Sequence, residues 1–233
     1  MNLIESFGPD ARAAVIGAGG GVGAALADRL AAAPNVAEVV RMARSGGDMA
    51  LDLTNEASIA AAAEAVGDLH LVICAAGVLH GSNFEPEKTW RALDPAAMAE
   101  VMAVNAVGPA LLAKHFLPRL PKGRKTAFAA LSARVGSIGD NRLGGWVSYR
   151  ASKAALNQVI RTFSIELARK RPEALIVGLH PGTVDTGLSE PFQRGHDLFT
   201  PAQSAEYLLK VLDGLTAEDS GGVFAWDGDR IPD

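Results

Sequence analysis

Tyr149-Arg150-Ala151-Ser152-Lys153 sets a phenol and an ammonium four residues apart. On a helix that spacing puts both on one face, about one turn from each other. A lysine charge about 4 Å from a phenol, at an effective dielectric of about 20, is worth roughly 4 kcal/mol. Even a third of that favours the phenolate and brings the phenol below its free pKa of about 10. The pair predicts a proton donor and acceptor, Tyr149, tuned by Lys153. Any amphipathic helix can carry this spacing, so its meaning rests on what the chain brings beside it.

A second group of residues suits phosphate binding. Gly17-Ala18-Gly19-Gly20-Gly21-Val22-Gly23 follows the apolar run Ala13-Ala14-Val15-Ile16 and precedes Ala24-Ala25-Leu26-Ala27. A glycine turn between strand and helix lets backbone N–H groups approach a pyrophosphate at the positive end of the helix. Gly-x-Gly-x-x-Gly is absent, whereas Gly17-x-x-x-Gly21-x-Gly23 and Gly17-x-x-Gly20-x-x-Gly23 are both met. In this context the run reads as a dinucleotide turn. An acid at the end of the next strand would favour NAD by bonding the ribose 2′-OH. The chain instead reads Arg41-Met42-Ala43-Arg44-Ser45. Arg44 and Ser45 suit a 2′-phosphate, so NADP is expected over NAD, the plain alternative being a solvated arginine. Asp52 either bonds the adenine amino group or caps the helix that follows.

The elements that must hold these groups alternate along the chain. Strands are expected at 13–16, 36–40, 69–74, 126–131, 175–179 and 223–226. Helices are expected at 24–30, 95–120, 146–170 and 202–212. Asp94 is the cap and Pro95 lies in the first turn of the long helix, which Pro109 kinks or breaks. Repeated strand-helix order with apolar strands predicts an α/β fold, a doubly wound parallel sheet of Rossmann type with helices on both faces. No linker divides the chain, so residues 1–233 are expected to form a single domain, with a substrate lid loop at about 187–200. Phe192 and Phe199 give that loop an apolar character. Ligands in such sheets bind beyond the carboxyl ends of the strands.

Composition narrows the field. The 233 residues are 48% hydrophobic and 21% charged, as in a globular protein, and long enough for one sizeable core. With 22 basic and 26 acidic residues, no clustered basic surface suggests nucleic acid. The five histidines show no metal-ligand spacing, so no metal is expected. The single cysteine, Cys74, sits in an apolar run and reads as a buried reduced thiol. Without a basic and apolar leader or an uncharged membrane-length run, the expectation is a soluble, cytoplasmic protein with no membrane partner.

Together these pieces resemble the short-chain dehydrogenase/reductase family in its compact single-domain form. The match runs in order through the glycine turn, Ala75-Ala76-Gly77, Asn105-Ala106-Val107-Gly108, the Tyr149–Lys153 motif and His180-Pro181-Gly182-Thr183-Val184-Asp185-Thr186. Arg134-Val135-Gly136-Ser137-Ile138 and Phe224-Ala225-Trp226-Asp227-Gly228 are similar to a subgroup related to the myxobacterial cell–cell signalling C-factor. The resemblance implies an NADP(H)-dependent oxidoreductase that interconverts a carbonyl and an alcohol, with a small-molecule substrate. Tyr149 would protonate the carbonyl oxygen, and Lys153 would bind the nicotinamide ribose and lower the phenol pKa. Asn105 would hold a water linking the lysine to solvent, or else stabilise the kink before Pro109. Ala75, Ala76 and Gly77 would line the cofactor. Pro181, Gly182 and Thr183 would close over the nicotinamide, with Thr183 or Thr186 near its carboxamide or the phosphates. Helices around 101–120 and 156–167 resemble the surfaces by which the family forms homo-oligomers, and read equally as buried against the sheet.

Two positions depart from the family pattern. Ala75 stands where asparagine is usual. The catalytic serine is commonly the second of a pair three residues before a glycine, and Ala133 holds that position in Leu131-Ser132-Ala133-Arg134-Val135-Gly136. Neighbours in an extended segment point to opposite faces, so Ser132 and Ala133 cannot both face the nicotinamide without a bend. Ser132 is the expected catalytic serine and Ser137 the second candidate. A dinucleotide-binding signalling or regulatory protein with little turnover is the alternative function.

Overall fold

Leu-Val-Ile-Cys, the strand at Leu71–Cys74, offers no position to water, and all four side chains are buried. A strand apolar on both faces needs cover on both. The computed structural model describes residues 3–190 and 198–233 and supplies that cover. Strands β1 (Ala11–Ile16), β2 (Val36–Ala43), β3 (Met49–Ala50), β4 (Leu71–Cys74), β5 (Thr126–Leu131), β6 (Ala174–His180) and β7 (Val223–Ala225) form one sheet. Their order is β3-β2-β1-β4-β5-β6-β7, and every pairing is parallel. The α/β expectation holds.

Val72, Cys74, Phe128, Ala130 and Ile176 face one layer of helices and pack with Leu112, Phe116, Leu156 and Ile160. Leu71, Ile73, Ala127, Ala129 and Val177 face the other, against Leu26, Leu30, Leu208 and Leu212. The first layer holds helices α2 (Glu56–Ala65), α4 (Gly108–Phe116) and α5 (Val147–Ala168); the second holds α1 (Gly21–Ala31) and α6 (Pro201–Gly214). From β1 the chain runs outward to β3 and then crosses to β4 on the other side of β1. The strand order therefore reverses between β1 and β4, which opens a crevice at their carboxyl ends.

Two boundaries differ from the sequence reading. Strand β2 continues to Ala43, because Val39 to Met42 pair in register with Ala13 to Ile16. The long helix is three pieces: α3 (Pro95–Met102), a π-helical segment Ala103–Val107, and α4. Asp94 accepts from the Ala97 amide and caps α3 as expected. The irregularity lies before Pro109, in the turn that proline disturbs. Lacking an N–H, Pro109 leaves the carbonyl of Asn105 without its i+4 donor. The helical stretch Pro95–Arg119, 25 residues containing an 18-residue window of mean hydropathy 1.5, has the length and composition to cross a bilayer. Its Leu112, Ala113 and Phe116 are spent instead on covering the sheet.

Candidate active site

The glycine turn closes the crevice on the β1 side. Gly17 has φ +85°, and a Cβ there would lie 2.7 Å from the amide nitrogen of Ala76. Its own amide donates to Met42 O at 2.8 Å, and the Ala75 amide donates to Ile16 O at 2.8 Å. The turns after β1 and β4 are thus in backbone contact, which puts Ala75, Ala76 and Gly77 beside the glycine run. A Cβ on Gly23 would lie 2.2 Å from Gly17 O, so the first turn of α1 sits directly on the loop. Val22 packs with the apolar layer on that side. The first helical amides, from Gly21 to Gly23, point into the crevice end without intrahelical acceptors. This cradle has room for a pyrophosphate only because side chains are missing from it, so the residues fit a dinucleotide.

At the adenosine end, Arg44 and Ser45 are exposed just past the end of β2. Ser45 O lies near Gly19, so this segment flanks the glycine turn. Arg41 is tied to Asp28 at 2.8 Å, whereas Arg44 makes no ion pair among the described residues. Asp52 Oδ1 accepts from the Thr54 amide at 2.9 Å and from the Thr54 hydroxyl at 2.8 Å. Those bonds, and then the charge of Arg44, hold its carboxyl below the usual range. The capping alternative for Asp52 is corrected: Asn55 caps α2, accepting from the amides of Ala57 and Ser58.

Tyr149 and Lys153 lie on the first turns of α5. Lys153 Nζ is 5.7 Å from the Tyr149 ring centroid and donates to Leu131 O at 2.7 Å, at the end of β5. A Cβ on Gly77 would meet Asn105 Oδ1 at 3.2 Å and Lys153 Nζ at 3.5 Å, so these three residues form one cluster. Asn105 Oδ1 accepts from the Val78 amide at 2.8 Å; its Nδ2 donates to Val78 O at 2.8 Å and to the Ser152 hydroxyl at 3.1 Å. Its side chain ties the π-helical segment to the loop after β4 and to α5. The hydrogen bonds that hold the side chain thus lie outside the kink.

The electrostatics correct one expectation. Although the Tyr149 residue is only half-buried, desolvation pushes its phenol up to about 12. Burial also brings Lys153 down to about 8, with the Cys74 thiol acting slightly in the opposite sense. The lysine was expected to lower the phenol. Instead, loss of hydration of the phenolate outweighs a charge that is itself engaged by Leu131 O. At neutral pH the phenol holds its proton and the lysine its charge. Cys74 is buried, and desolvation raises it to about 11, an inert thiol.

The serine expected to act beside them is differently engaged. Ser132 is buried and donates its hydroxyl proton to Asn157 Oδ1 at 2.6 Å, on the same helix one turn beyond Lys153. Ala133 is extended, with φ −152° and ψ 146°, so no bend brings both residues to one face. The Ser137 hydroxyl donates to Asp233 O at 3.4 Å and accepts from the Asp140 amide at 3.1 Å. The Ser132 proton is thus directed at α5, because strand alternation turns an even-numbered residue of this segment toward that layer.

On the far wall, Gly182 has φ +77° and lies against Phe199 and Trp226. Pro181 O accepts from the buried Ser204 hydroxyl at 2.9 Å, and Thr183 O from the Phe199 amide at 2.9 Å. A Cβ on Gly21 would reach Thr186 Cγ2 at 2.8 Å, so of the two threonines it is Thr186 that touches the glycine turn. Residues 191–197 of the expected lid, Phe192 among them, lie outside the described residues. Phe199 stacks edge-on to Tyr207 and Trp226 and so belongs to the packed wall. Beyond Tyr149 opens a cavity of about 190 Å³, bordered by Leu79, Phe84, Glu87, Val101 and Ser148. Leu79, Phe84 and Glu87 were not singled out from the sequence, since loop residues brought in from 79–94 carry no periodicity.

A glycine cradle at the strand-order reversal, with a Tyr–Lys pair across the crevice, defines a Rossmann-type oxidoreductase using a nicotinamide dinucleotide. The family model described as short chain dehydrogenase matches residues 11–197, and the chain belongs to that family. It is 40% identical over 148 residues to the C-signal of Myxococcus xanthus, covering 61% of this chain and 84% of that one. It is 34% identical over 178 residues to 1-hydroxy-2-glutathionyl-2-methyl-3-butene dehydrogenase of Rhodococcus sp. (strain AD45), 76% of each chain. Among solved structures, the NADPH-bound carbonyl reductase from chicken fatty liver superposes with TM-score 0.84 at 30% identity, covering 96% of this chain and 99% of that one.

Proposed function

We propose that the protein is an NADP(H)-dependent carbonyl reductase in which Tyr149 exchanges a proton with the substrate oxygen. The observation that carries this is the protonated, desolvated Tyr149 phenol facing a cavity, with the Lys153 charge 5.7 Å from its ring. A bound nicotinamide supplies or accepts the hydride. The chain's own residues do the rest. Gly17 and Gly21 to Gly23 receive the pyrophosphate, Arg44 and Ser45 the 2′-phosphate, and Pro181, Gly182, Thr183 and Thr186 border the nicotinamide end. Tyr149 donates its proton as the carbonyl oxygen becomes an alkoxide. Lys153 stabilises the phenolate left behind, and Asn105 holds a water through which a proton returns.

NADP over NAD is supported by the basic Arg44 in place of an acid and by the NADPH-bound relative. Tyr149→Phe keeps the packing and removes the proton. It should lower NADPH-dependent reduction of an aldehyde and ketone panel by about 10²-fold or more. A wild-type rate in that variant would overturn the assignment. One further feature favours a second reading, a dinucleotide-binding signalling protein with little turnover: Ala133 has no hydroxyl, and Ser132 and Ser137 are engaged elsewhere. Tight NADPH binding with no oxidation across the panel would select it. Exposed Val107 and Ile165 on the helices flanking the sheet support a homo-oligomer, and sedimentation showing only monomer would remove that reading.

A further inference from the structure

Helix α5 begins without a cap of its own. Trp146 holds the N-cap position with φ 53°, after Gly144 at 65° and Gly145 at 68°, and its side chain makes no capping bond. The first-turn amides therefore need an outside acceptor. It comes from the loop after β4. Both carboxylate oxygens of Glu87 accept from the Ser148 amide, at 3.3 and 3.2 Å, and Oε1 accepts from the Ser148 hydroxyl. The Glu87 carbonyl accepts from the Trp146 amide at 2.6 Å. Glu87 is 6% exposed and makes no ion pair among the described residues, so its charge is balanced by these donors and the positive end of α5. Every one of these bonds falls within three residues of Tyr149, and the Trp146 ring stands edge-on to the phenol ring at 6.3 Å.

We infer that Glu87 is a positioning residue: it caps α5 across the cavity and so fixes the direction in which Tyr149 presents its phenol. A carboxylate that merely filled space there would be replaceable by any side chain of similar volume. One that sets the first turn of α5 is replaceable only by an acceptor of equal reach. The inference rests on the proposed role of Tyr149 for its effect on turnover, but not for its effect on the helix.

The test uses the full chain with NADPH. In Glu87→Ala, amide hydrogen exchange over residues 147–150 should accelerate tenfold or more, and Glu87→Gln should restore protection. Turnover of Glu87→Ala should fall tenfold or more in kcat, with KM and NADPH affinity within about twofold. Glu87→Gln should retain most of the activity. Ser148→Ala should lose less than Glu87→Ala, because the amide bond remains, and the double variant should be no worse than Glu87→Ala alone. If Glu87→Ala does not fold, Glu87→Asp, one methylene too short, should show the same faster exchange and lower kcat. Unchanged exchange in a folded variant would overturn the inference. So would a kcat loss matched by an equal loss of NADPH affinity, or losses in Glu87 and Ser148 variants that multiply. Should the wild type turn over no carbonyl, the exchange result still decides the role of Glu87, and only the proposed function falls.

Discussion

The two walls of the crevice are built from different materials. On the cofactor side, contacts are backbone to backbone: Gly17 against Ala76, Gly23 against Gly17 O, Ala75 against Ile16. On the substrate side, distant loops are pinned by side chains: Glu87 to Ser148, Asn105 to Val78 and Ser152, His80 Nε2 to Gly187 O at 3.2 Å. A backbone wall demands glycine at fixed spacing and tolerates little else. A side-chain wall can be assembled from many residue pairs, so it leaves room for a different substrate without disturbing the cofactor.

That contrast can be broken most severely at Gly17. Gly17→Ala places a Cβ 2.7 Å from the Ala76 amide in a backbone region costing an L-residue about 1–2 kcal/mol, before any steric relief. NADPH affinity by calorimetry should fall about 100-fold or more. Wild-type affinity would mean the turn does not form the phosphate site.

Lys153 tests whether the junction of the two walls is held at a cost. A lysine held at about 8 instead of 10.5 destabilises the fold at pH 7 by up to about 3 kcal/mol. Above pH 8 the folded state releases this proton while the unfolded state keeps it, so the penalty fades as pH approaches 10.5. Lys153→Met should therefore be inactive yet more stable at pH 7, the gap narrowing by pH 9.5 in denaturant titrations. A gap independent of pH would show that the charge is not the cause.

Smaller effects should follow at the edges. Arg44→Ala should weaken NADPH about tenfold and leave NADH unchanged, a loss that high salt would mask. Equal losses for both cofactors would place the 2′-phosphate elsewhere. Least of all, Ser132→Ala should change kcat less than threefold, since that hydroxyl serves Asn157. A 100-fold loss would restore Ser132 to the catalytic set.

The parts legible in the sequence were those fixed by short-range rules. Apolar runs in β4 to β6 announced a covered parallel sheet, and the strand-glycine-helix order announced the cradle. The four-residue spacing of Tyr149 and Lys153 put them on one helical face. Harder to read was β3, two residues long and paired with Met42 and Ala43 of β2. The pairing of Asp52 with Thr54 and the capping of α2 by Asn55 were also hidden, because both residues suit either role locally.

By itself, then, the sequence determined the fold class, the glycine turn after β1 and the placement of Tyr149 and Lys153 on one helical face. Only the tertiary structure decided what those residues are worth. Burial, which no local pattern reports, reversed the expected shift of the Tyr149 phenol. Tertiary packing also brought the Asn157 side chain to Ser132, and Glu87, 61 residues from Ser148 in sequence, to the first turn of α5. Spacing along a chain sets which face a side chain shares, whereas desolvation and long-range acceptors depend on which other segments arrive there.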